Sequence, residues 1–407
     1  MNNSRINPYI PVLFFAMFIF GINSQALGTL ITRIIAHYDI QMAQAGLLSS
    51  FLSIGSVTAA FTVAIFAGRV NKMILLGISI FLLAGGLFLL SRAPVFGILM
   101  AGFSLLGIFG ATMDTLINSL VADLMPGKIS TGMSLLHGIF GLGGLSGPII
   151  IDFLARSLSW SLVYLTLSIA FLVFLVFYSV LLRWQWKNLV IVVSGGKKAG
   201  FDFSDIVQFL KKKKHILLML TIFFYGGNQI TMIIWVKRYV EIFLDVPAWG
   251  AFALSSLWLG IALSRLIVAP TVRASSPRKI FIGNLVSAAV VTAGLLSQSA
   301  PGILIASFAS GLASGFTIPL ILALGCEWNR EKTAMGTMVP YTALFSAAIL
   351  APPLSGLIGD LAGIPWSVAV SAFSAVFAAL FAGILDAHIK NEKTPQPEAA
   401  AREGKHG

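Results

Sequence analysis

The residues of this sequence best suited to chemistry lie between Gly107 and Pro148, a stretch that reads as two apolar helices joined by a short polar turn. Asp114, Asn118 and His137 stand there among Leu, Ile, Phe, Gly and Ala. Asp114 and Asn118 are four residues apart, so a helix places both side chains on one face. An ionisable group within a membrane span costs about 3 kcal/mol or more, and it usually faces a cavity or a partner.

Two roles fit Asp114. The functional role is a proton-titrating carboxylate that faces a substrate, and the structural alternative is a satisfied group that bonds to neighbouring helices. At a helical rise of about 1.5 Å per residue, Asp114 lies about 12 Å from a helix end near Ala122, and His137 about 9 Å from one near Thr131. We therefore predict that Asp114 and His137 meet at similar depth and share the proton-coupling role. His137 is also a candidate for substrate binding, with helix packing as its alternative.

The composition indicates the kind of secondary structure that positions these groups. The chain has 407 residues, of which 57% are hydrophobic and 10% are charged, and its mean hydropathy is +0.92. No soluble globular domain needs that much apolar surface. Long apolar runs recur along the whole chain, which predicts an all-α, polytopic membrane protein. The single Cys326 excludes an intramolecular disulfide and a cysteine-cluster metal site.

Twelve apolar runs are long enough to cross a bilayer, from about Tyr9–Ile35 to about Trp366–Ala387. We predict four parts: an N-terminal six-helix bundle (1–184), a cytoplasmic linker (185–215), a C-terminal six-helix bundle (216–390) and a disordered cytoplasmic tail (391–407). In the linker, Phe203, Ile206, Val207 and Leu210 stand at helical spacing before a run of four lysines. This pattern predicts a short amphipathic helix at the membrane surface, with an ordinary basic anchor as the alternative.

The positions of the basic residues predict the orientation of the chain. Most Lys and Arg residues lie in segments on the same side as the N-terminus, and the other side holds only Arg33, Arg92, Arg156, Lys237 and Arg238. The positive-inside rule then places both termini in the cytoplasm. The same bias accounts for the net charge of +12 without nucleic acid as a partner.

The two halves of the chain resemble each other. Gly55 in the second span aligns with Gly260 in the eighth at an offset of 205, and the stretch from Gly132 to Pro148 aligns with that from Gly336 to Pro352 at an offset of 204. A near-constant offset with the same polarity predicts two parallel six-helix pseudo-repeats around a central cavity, where the substrate would bind.

On these residues the sequence resembles the major facilitator superfamily, and within it the fucose permease type of sugar–proton symporter. The fourth span has the acidic residue followed four positions later by Asn, here Asp114 and Asn118. The seventh span, YGGNQITMIIWVKRY, looks like the family's Tyr-x-Gly-x-Gln and Arg-Tyr pattern. Further resemblance lies in Arg265, in Phe316 and Pro319, and in Asp360 and Gly363. The resemblance implies secondary active transport by alternating access, with gating roles for Arg265, Arg69 and Asp360.

Two departures from the family pattern bear on this expectation. Gly28 stands where the family's first span carries a carboxylate, so a mechanism with two membrane carboxylates is not supported. The loop after the second span has Arg69 and Lys72 but lacks the usual acidic residue, which alters the latch that this loop normally forms.

Amides and aromatic rings are the other side chains that suit a sugar, because a sugar offers hydroxyl groups and an apolar ring face. Gln229 matches the family's sugar-facing Gln. Interhelical hydrogen bonding is the alternative for the amides, and packing for the tryptophans. The predicted substrate-binding residues are Asn23, Gln25, Asn118, His137, Asn228, Gln229, Trp235 and Trp258.

No metal-ligand spacing, phosphate-binding loop or nucleophile–base pattern is present in the sequence, so we expect no enzyme, no metal and no cofactor besides the proton as coupling ion. We expect a multi-pass protein of the cytoplasmic (inner) cell membrane that works as a monomer and takes a small, carbohydrate-like solute by proton symport. A drug or metabolite exporter, a proton-independent facilitator and a non-transporting membrane sensor are the alternatives.

Overall fold

The computed structural model describes residues 9–66, 71–125, 128–184, 209–268, 277–329 and 333–393. Within these ranges, twelve helical elements are long and apolar enough to cross a membrane, as the sequence predicts. Spans 1 to 6 are Tyr9–Ser24 with Ala26–Tyr38, Met42–Phe66, Lys72–Ser91, Phe96–Leu124, Ile129–Ser157 and Trp160–Trp184. Spans 7 to 12 are Lys213–Phe243, Pro247–Val268, Pro277–Leu296, Ala300–Ser314 with Thr317–Trp328, Thr333–Ala362 and Ile364–Lys393.

The helices pack as two bundles with the same internal pattern. In spans 1 to 6, span 2 packs on span 4, span 1 on span 5, and span 3 on span 6. In spans 7 to 12, span 8 packs on span 10, span 7 on span 11, and span 9 on span 12. Spans 2 and 11, and spans 5 and 8, make the main contacts between the bundles.

Equivalent glycines make the equivalent close contacts in both bundles. A Cβ at Gly55 would overlap the carbonyl oxygen of Ser104, and a Cβ at Gly107 would overlap that of Leu52. In the other bundle, Gly260 and Gly311 stand in the same way against backbone carbonyls of spans 10 and 8. Because only glycine permits this backbone approach, the internal repeat in the sequence corresponds to a repeated helix contact.

The connections repeat as well. Asp39 between spans 1 and 2 has φ 49°, and Asp245 between spans 7 and 8 has φ 54°. Aspartate tolerates this left-handed conformation better than most residues, which suits both positions to a sharp turn between consecutive spans.

Two spans change to π-helix where they carry charge. Span 7 does so at Tyr239–Phe243, which includes Glu241, and span 8 at Ser264–Val268, which includes Arg265. Short π segments within helices are frequent at functional sites, because they re-aim the side chains of one turn.

Large apolar side chains cover the outer surface of the bundles. Phe153, Val173, Val176 and Phe373 are more than half exposed. In a chain with twelve candidate spans, such side chains face lipid rather than water.

Candidate functional site

Asp114 lines a cavity of about 220 Å³ in the first bundle, which we call the Asp114 cavity. Its polar lining residues come from spans 1, 2, 4 and 6, namely Asn23, Ser24, Ser56, Asp114 and Tyr164. Aromatic rings of Phe20, Phe103 and Phe345 form much of the remaining wall. Phe345 belongs to span 11, so the cavity reaches the interface between the bundles.

The carboxylate of Asp114 has its partner on its own helix. Asn118 Nδ2 donates to Asp114 Oδ1 at 3.0 Å and to the Asp114 carbonyl oxygen at 2.8 Å. Asp114 and Asn118 therefore lie on one helix face, as their spacing predicts. No ion pair joins Asp114 to a basic side chain within the described ranges, and Asn118 acts on the cavity by holding the carboxylate.

Two buried polar atoms of residues that line the Asp114 cavity have no hydrogen-bond partner in the part of the chain described. They are Asn23 Oδ1 and the hydroxyl of Tyr164, and both residues line the cavity. A buried polar atom without a partner costs about 1–3 kcal/mol, so such atoms point to a ligand or ordered water. Tyr164 was not among the predicted residues, because the sequence does not show that span 6 brings it into the lining of the Asp114 cavity.

His137 and Arg265 lie together in a second cavity of about 480 Å³, the Arg265 cavity. Spans 5, 8, 10 and 11 line it, and Ser134, Trp258 and Tyr341 are further lining residues. The Arg265 Nε–H donates to the Gly315 carbonyl oxygen at 3.4 Å, at the break in span 10. The cavity thus combines a guanidinium, an imidazole and aromatic walls.

The structure does not bring His137 to Asp114, which corrects our expectation that the two meet. His137 shares a helix face with Ser134, Gly138 and Gly141, and that face is directed towards spans 8 and 10. Depth along each helix does not fix the direction in which a helix face points.

Aromatic side chains separate the two cavities. Phe20 packs on Phe140 with ring centroids 6.0 Å apart, and Phe140 packs on Trp258 at 6.0 Å. Phe20 belongs to the Asp114 cavity and Trp258 to the Arg265 cavity. On span 11, Tyr341 and Phe345 stack at 6.3 Å, and each faces one cavity.

Four of the predicted substrate-binding residues hold helices together instead of lying free in a cavity. Trp258 Nε1 donates to Gln25 Oε1 at 2.6 Å, which joins the bundles at mid-span. Trp235 is fully buried, and its Nε1 donates to Ser355 Oγ at 2.8 Å. Asn228 is buried and donates to Ser287 Oγ and to the Ser371 carbonyl oxygen. These contacts match the interhelical alternative, although Trp258 also lines the Arg265 cavity.

Gln229 is half-buried on span 7 and makes no hydrogen bond to any residue that the structure describes. It lies outside the lining of both cavities. Its role as a sugar ligand stays a prediction.

The bundles are joined at the end where span 1 meets span 2, which we call the Tyr38 end. Lys237, only 1% exposed, pairs with Asp152 of span 5 at 3.0 Å and also with Glu241. Thr32 of span 1 donates to Glu241 at 2.8 Å. The sequence analysis missed Lys237, because a lysine near a span end ordinarily reaches water.

Asp360, predicted as a gating residue, also connects the bundles at the Tyr38 end. Its carboxylate accepts hydrogen bonds from the backbone N–H groups of Met42 at 2.9 Å and Ala43 at 2.8 Å. These groups open span 2, where an acidic side chain is favoured by the helix dipole. Arg69 lies outside the described residues, as does most of the predicted linker helix.

Across residues 9–393, apart from the gaps given above, each hydrogen bond and ion pair between the bundles lies at the Tyr38 end or at mid-span. The opposite ends of the spans, near Leu124 and Lys213, show no such link in these ranges. The structure is therefore closed at the Tyr38 end.

No group of three or more His, Cys, Asp or Glu side chains with the geometry of a metal site occurs in the described ranges. The chemistry of the site rests on one carboxylate, one guanidinium, one imidazole and several hydroxyl and amide groups. Groups of these types can hydrogen-bond to a solute and exchange protons.

Comparison with known proteins agrees with this architecture. Residues 13–295 match the model of the Major Facilitator Superfamily, so the chain belongs to that family. It is a multi-pass membrane transporter, and membership of this family indicates a small-molecule substrate. No curated protein sequence matches the chain.

Several solved transporters share the fold. The nucleoside transporter NupG superposes with a TM-score of 0.77 at 14% identity, over 94% of this chain and 99% of that one. The peptide transporter POT, in complex with sulfate, gives 0.74 at 14% identity over 96% of each chain. A bacterial homolog of the human lysosomal transporter Spinster, inward-facing and unoccupied, gives 0.71 at 15% identity over 95% and 96%. At these identities the likeness shows the fold alone.

Proposed function

We propose that this protein is a proton symporter for a small hydroxylated solute of the sugar type. The observation that carries the proposal is the Asp114 cavity, which is lined by a membrane-embedded carboxylate without an ion pair and by two residues with unpartnered polar atoms, Asn23 Oδ1 and the Tyr164 hydroxyl. A carboxylate in that position is costly in its charged form and is rarely kept without a function.

Protonation supplies the coupling. When Asp114 binds a proton, its charge disappears and it gains an O–H donor. With solute bound, the bundles can then rock past mid-membrane, whereas the solute-loaded protein with an ionised carboxylate is held back. After solute and proton are released, the empty protein returns. Coupling therefore depends on one carboxylate.

Gly28 supports a one-carboxylate mechanism. A Cβ at Gly28 would overlap the carbonyl oxygen of Ile233 in span 7, so no side chain fits there while the Tyr38 end is closed. The family's first-span carboxylate has no substitute at this position, and the proton site is assigned to span 4.

The lining suits a sugar-type solute. Amide, hydroxyl and carboxylate groups can bond to hydroxyls, and the rings of Phe20 and Phe345 offer surfaces for an apolar ring face. This agrees with the resemblance to the fucose permease type of sugar–proton symporter, which we propose as the nearest functional class.

The basic residues favour one orientation, with both termini and the linker in the cytoplasm and the chain in the cytoplasmic membrane. The closed Tyr38 end then faces outward, and the structure corresponds to an inward-facing state. We further propose that one chain, with six-span halves 1–184 and 216–390, is the functional unit.

Uptake into proteoliposomes tests the proposal. The protein is supplied with labelled monosaccharides and their derivatives, with and without an inward proton gradient. We expect the gradient to drive accumulation of at least one of them above the external concentration. Equilibration without accumulation would instead indicate a facilitator, and no uptake from the panel would overturn the sugar-type assignment.

A further inference from the structure

The Arg265 cavity contains a cation for which the structure provides no carboxylate. Arg265 lies on the π-helical turn of span 8, and the described lining of its cavity includes no Asp or Glu. The Arg265 Nε–H donates to the Gly315 carbonyl oxygen, and the Tyr225 side chain also interacts with the guanidinium. A planar guanidinium of this kind suits bidentate binding of a carboxylate or phosphate.

Other donors stand around Arg265 at the interface between the bundles. His137 and Ser134 come from span 5, and Tyr341 comes from span 11. Tyr341 lines the Arg265 cavity and stacks on Phe345, which lines the Asp114 cavity.

The sum of the charges on Asp114, Arg265 and the solute favours an anionic solute. In the empty protein, ionised Asp114 and Arg265 sum to zero at mid-membrane, with His137 counted as a neutral imidazole. If a proton and an uncharged sugar bind, the loaded protein carries one positive charge. If a proton and a solute with one negative charge bind, the sum is again zero, so both the empty and the loaded protein can pass through a water-excluded state.

We infer that the Arg265 cavity binds the acidic group of the solute, and that the substrate is a hydroxylated monoanion such as a hexuronate or aldonate, carried with one proton. This inference rests on the proposed function, since it takes Asp114 as the proton site. It narrows the sugar-type solute to its singly charged acid forms.

Binding to purified protein tests the anion site without transport. Four hexoses (glucose, galactose, mannose and fucose) are compared with four acids (glucuronate, galacturonate, gluconate and galactonate) by isothermal titration. We expect at least one acid to bind about tenfold or more tightly than every uncharged sugar, since a charge-assisted pair adds to the hydroxyl contacts. If none of the acids binds at millimolar concentration, or if a hexose binds as tightly as the best acid, the inference is overturned.

Variants locate the site. Arg265→Gln should weaken binding of the best acid about tenfold or more, because the neutral amide loses the charge-assisted pair. Arg265→Lys should restore part of the affinity. Arg92→Gln, at an exposed arginine that lies over Phe88 at a span end, is the matched control and should leave affinity unchanged. Unchanged acid affinity in Arg265→Gln would also overturn the inference.

Membrane potential tests the charge balance separately. Uptake of the acid with one proton is electroneutral, so a potassium–valinomycin potential, negative inside, should leave its rate unchanged at fixed pH gradient. Acceleration by that potential would contradict the balance. Failure of the proposed function would give a different result: the acid would still bind, but its rate of uptake would not depend on the proton gradient.

Discussion

The hydroxyl groups of Tyr164 and Tyr178 differ in their hydrogen bonding. This difference distinguishes a candidate ligand-binding hydroxyl from one that joins two helices. The Tyr164 hydroxyl is buried, its residue lines the Asp114 cavity, and it has no hydrogen-bond partner in the described chain. The hydroxyl of Tyr178 in the same span instead donates to the Met73 carbonyl oxygen at 2.7 Å. Both tyrosines are buried on span 6. The pair therefore offers a test of the Asp114 cavity at the level of one oxygen atom.

Tyr164→Phe should raise the KM for the transported solute by about two- to tenfold, corresponding to the loss of one hydrogen bond of about 0.5–1.5 kcal/mol. Its thermal stability should stay unchanged, because no protein partner loses a bond. Tyr178→Phe should do the reverse, with a lower melting temperature and an unchanged KM. Uptake kinetics and thermal melting in detergent measure both effects, and an unaltered KM in Tyr164→Phe would remove the hydroxyl from the site.

At the residue scale, the sequence predicted which side chains lie together on one helix better than it predicted contacts between helices. Asp114 and Asn118 follow from helical spacing alone. The placement of His137 with Arg265 depends on how spans 5 and 8 are rotated against each other, which the spacing of residues within one span does not contain. The same limit applies to Trp235 and Asn228, whose partners lie on spans 11, 9 and 12.

The helices meet through repeated glycine contacts, and these were partly visible in the sequence. The offset of 205 between Gly55 and Gly260 predicted a repeat, and the structure shows that each of these glycines lies against a backbone carbonyl of its neighbouring span. The sequence could not reveal which helices these glycines join. It also could not show the π-helical turns around Glu241 and Arg265, since hydrophobicity does not distinguish them from α-helix.

Gly55→Ala should destabilise the first bundle by about 1–3 kcal/mol, because the added methyl group forces spans 2 and 4 apart. Gly260→Ala should have a similar effect on the second bundle. Gly85→Ala, at a glycine with no neighbouring atom within 4 Å of an added Cβ, is the control and should be tolerated. The difference in stability is measured by thermal unfolding, with size-exclusion chromatography to detect the folded protein that remains. Equal stability of the Gly55 and Gly85 variants would contradict the close contact.

The Tyr38 end depends on a buried lysine. Lys237 lies between Asp152 and Glu241, so its removal leaves two carboxylates without their shared cation across the bundle interface. Breaking a buried pair in this way costs about 3–5 kcal/mol. Lys237→Met should therefore weaken closure and shift the protein towards states that are open at this end.

Alkylation of Ser49→Cys in a Cys326→Ser background measures that shift. Ser49 is buried between spans 2 and 11, where its hydroxyl donates to the Ala348 carbonyl oxygen. Lys237→Met should speed labelling from the Tyr38 side about tenfold or more, since the closed state loses its central cation. Lys390→Met, at the exposed end of span 12, is the control. Equal labelling rates with and without Lys237 would show that the cluster does not hold this end closed.

At the scale of the whole molecule, the number of spans, their parallel repeat and the fold were predictable because a bilayer admits few ways to satisfy backbone groups. The state of the transporter was not, because closure at the Tyr38 end arises from contacts of Asp152, Lys237 and Asp360 between the bundles. Those contacts connect residues more than 80 positions apart. The proposed mechanism links this closure to Asp114, whose protonation permits passage of the solute-loaded protein between states.

The central claim is that Asp114 couples a proton to solute movement, and Asp114→Asn tests it most directly. Asparagine keeps the size and much of the hydrogen bonding of a protonated aspartate, so substrate exchange across proteoliposomes should continue at a rate near that of the unaltered protein. Accumulation driven by a proton gradient should fall to the equilibrium level. Asp386→Asn, whose carboxylate pairs with Lys390 at the end of span 12, should keep both activities. Gradient-driven accumulation that persists in Asp114→Asn would contradict the account.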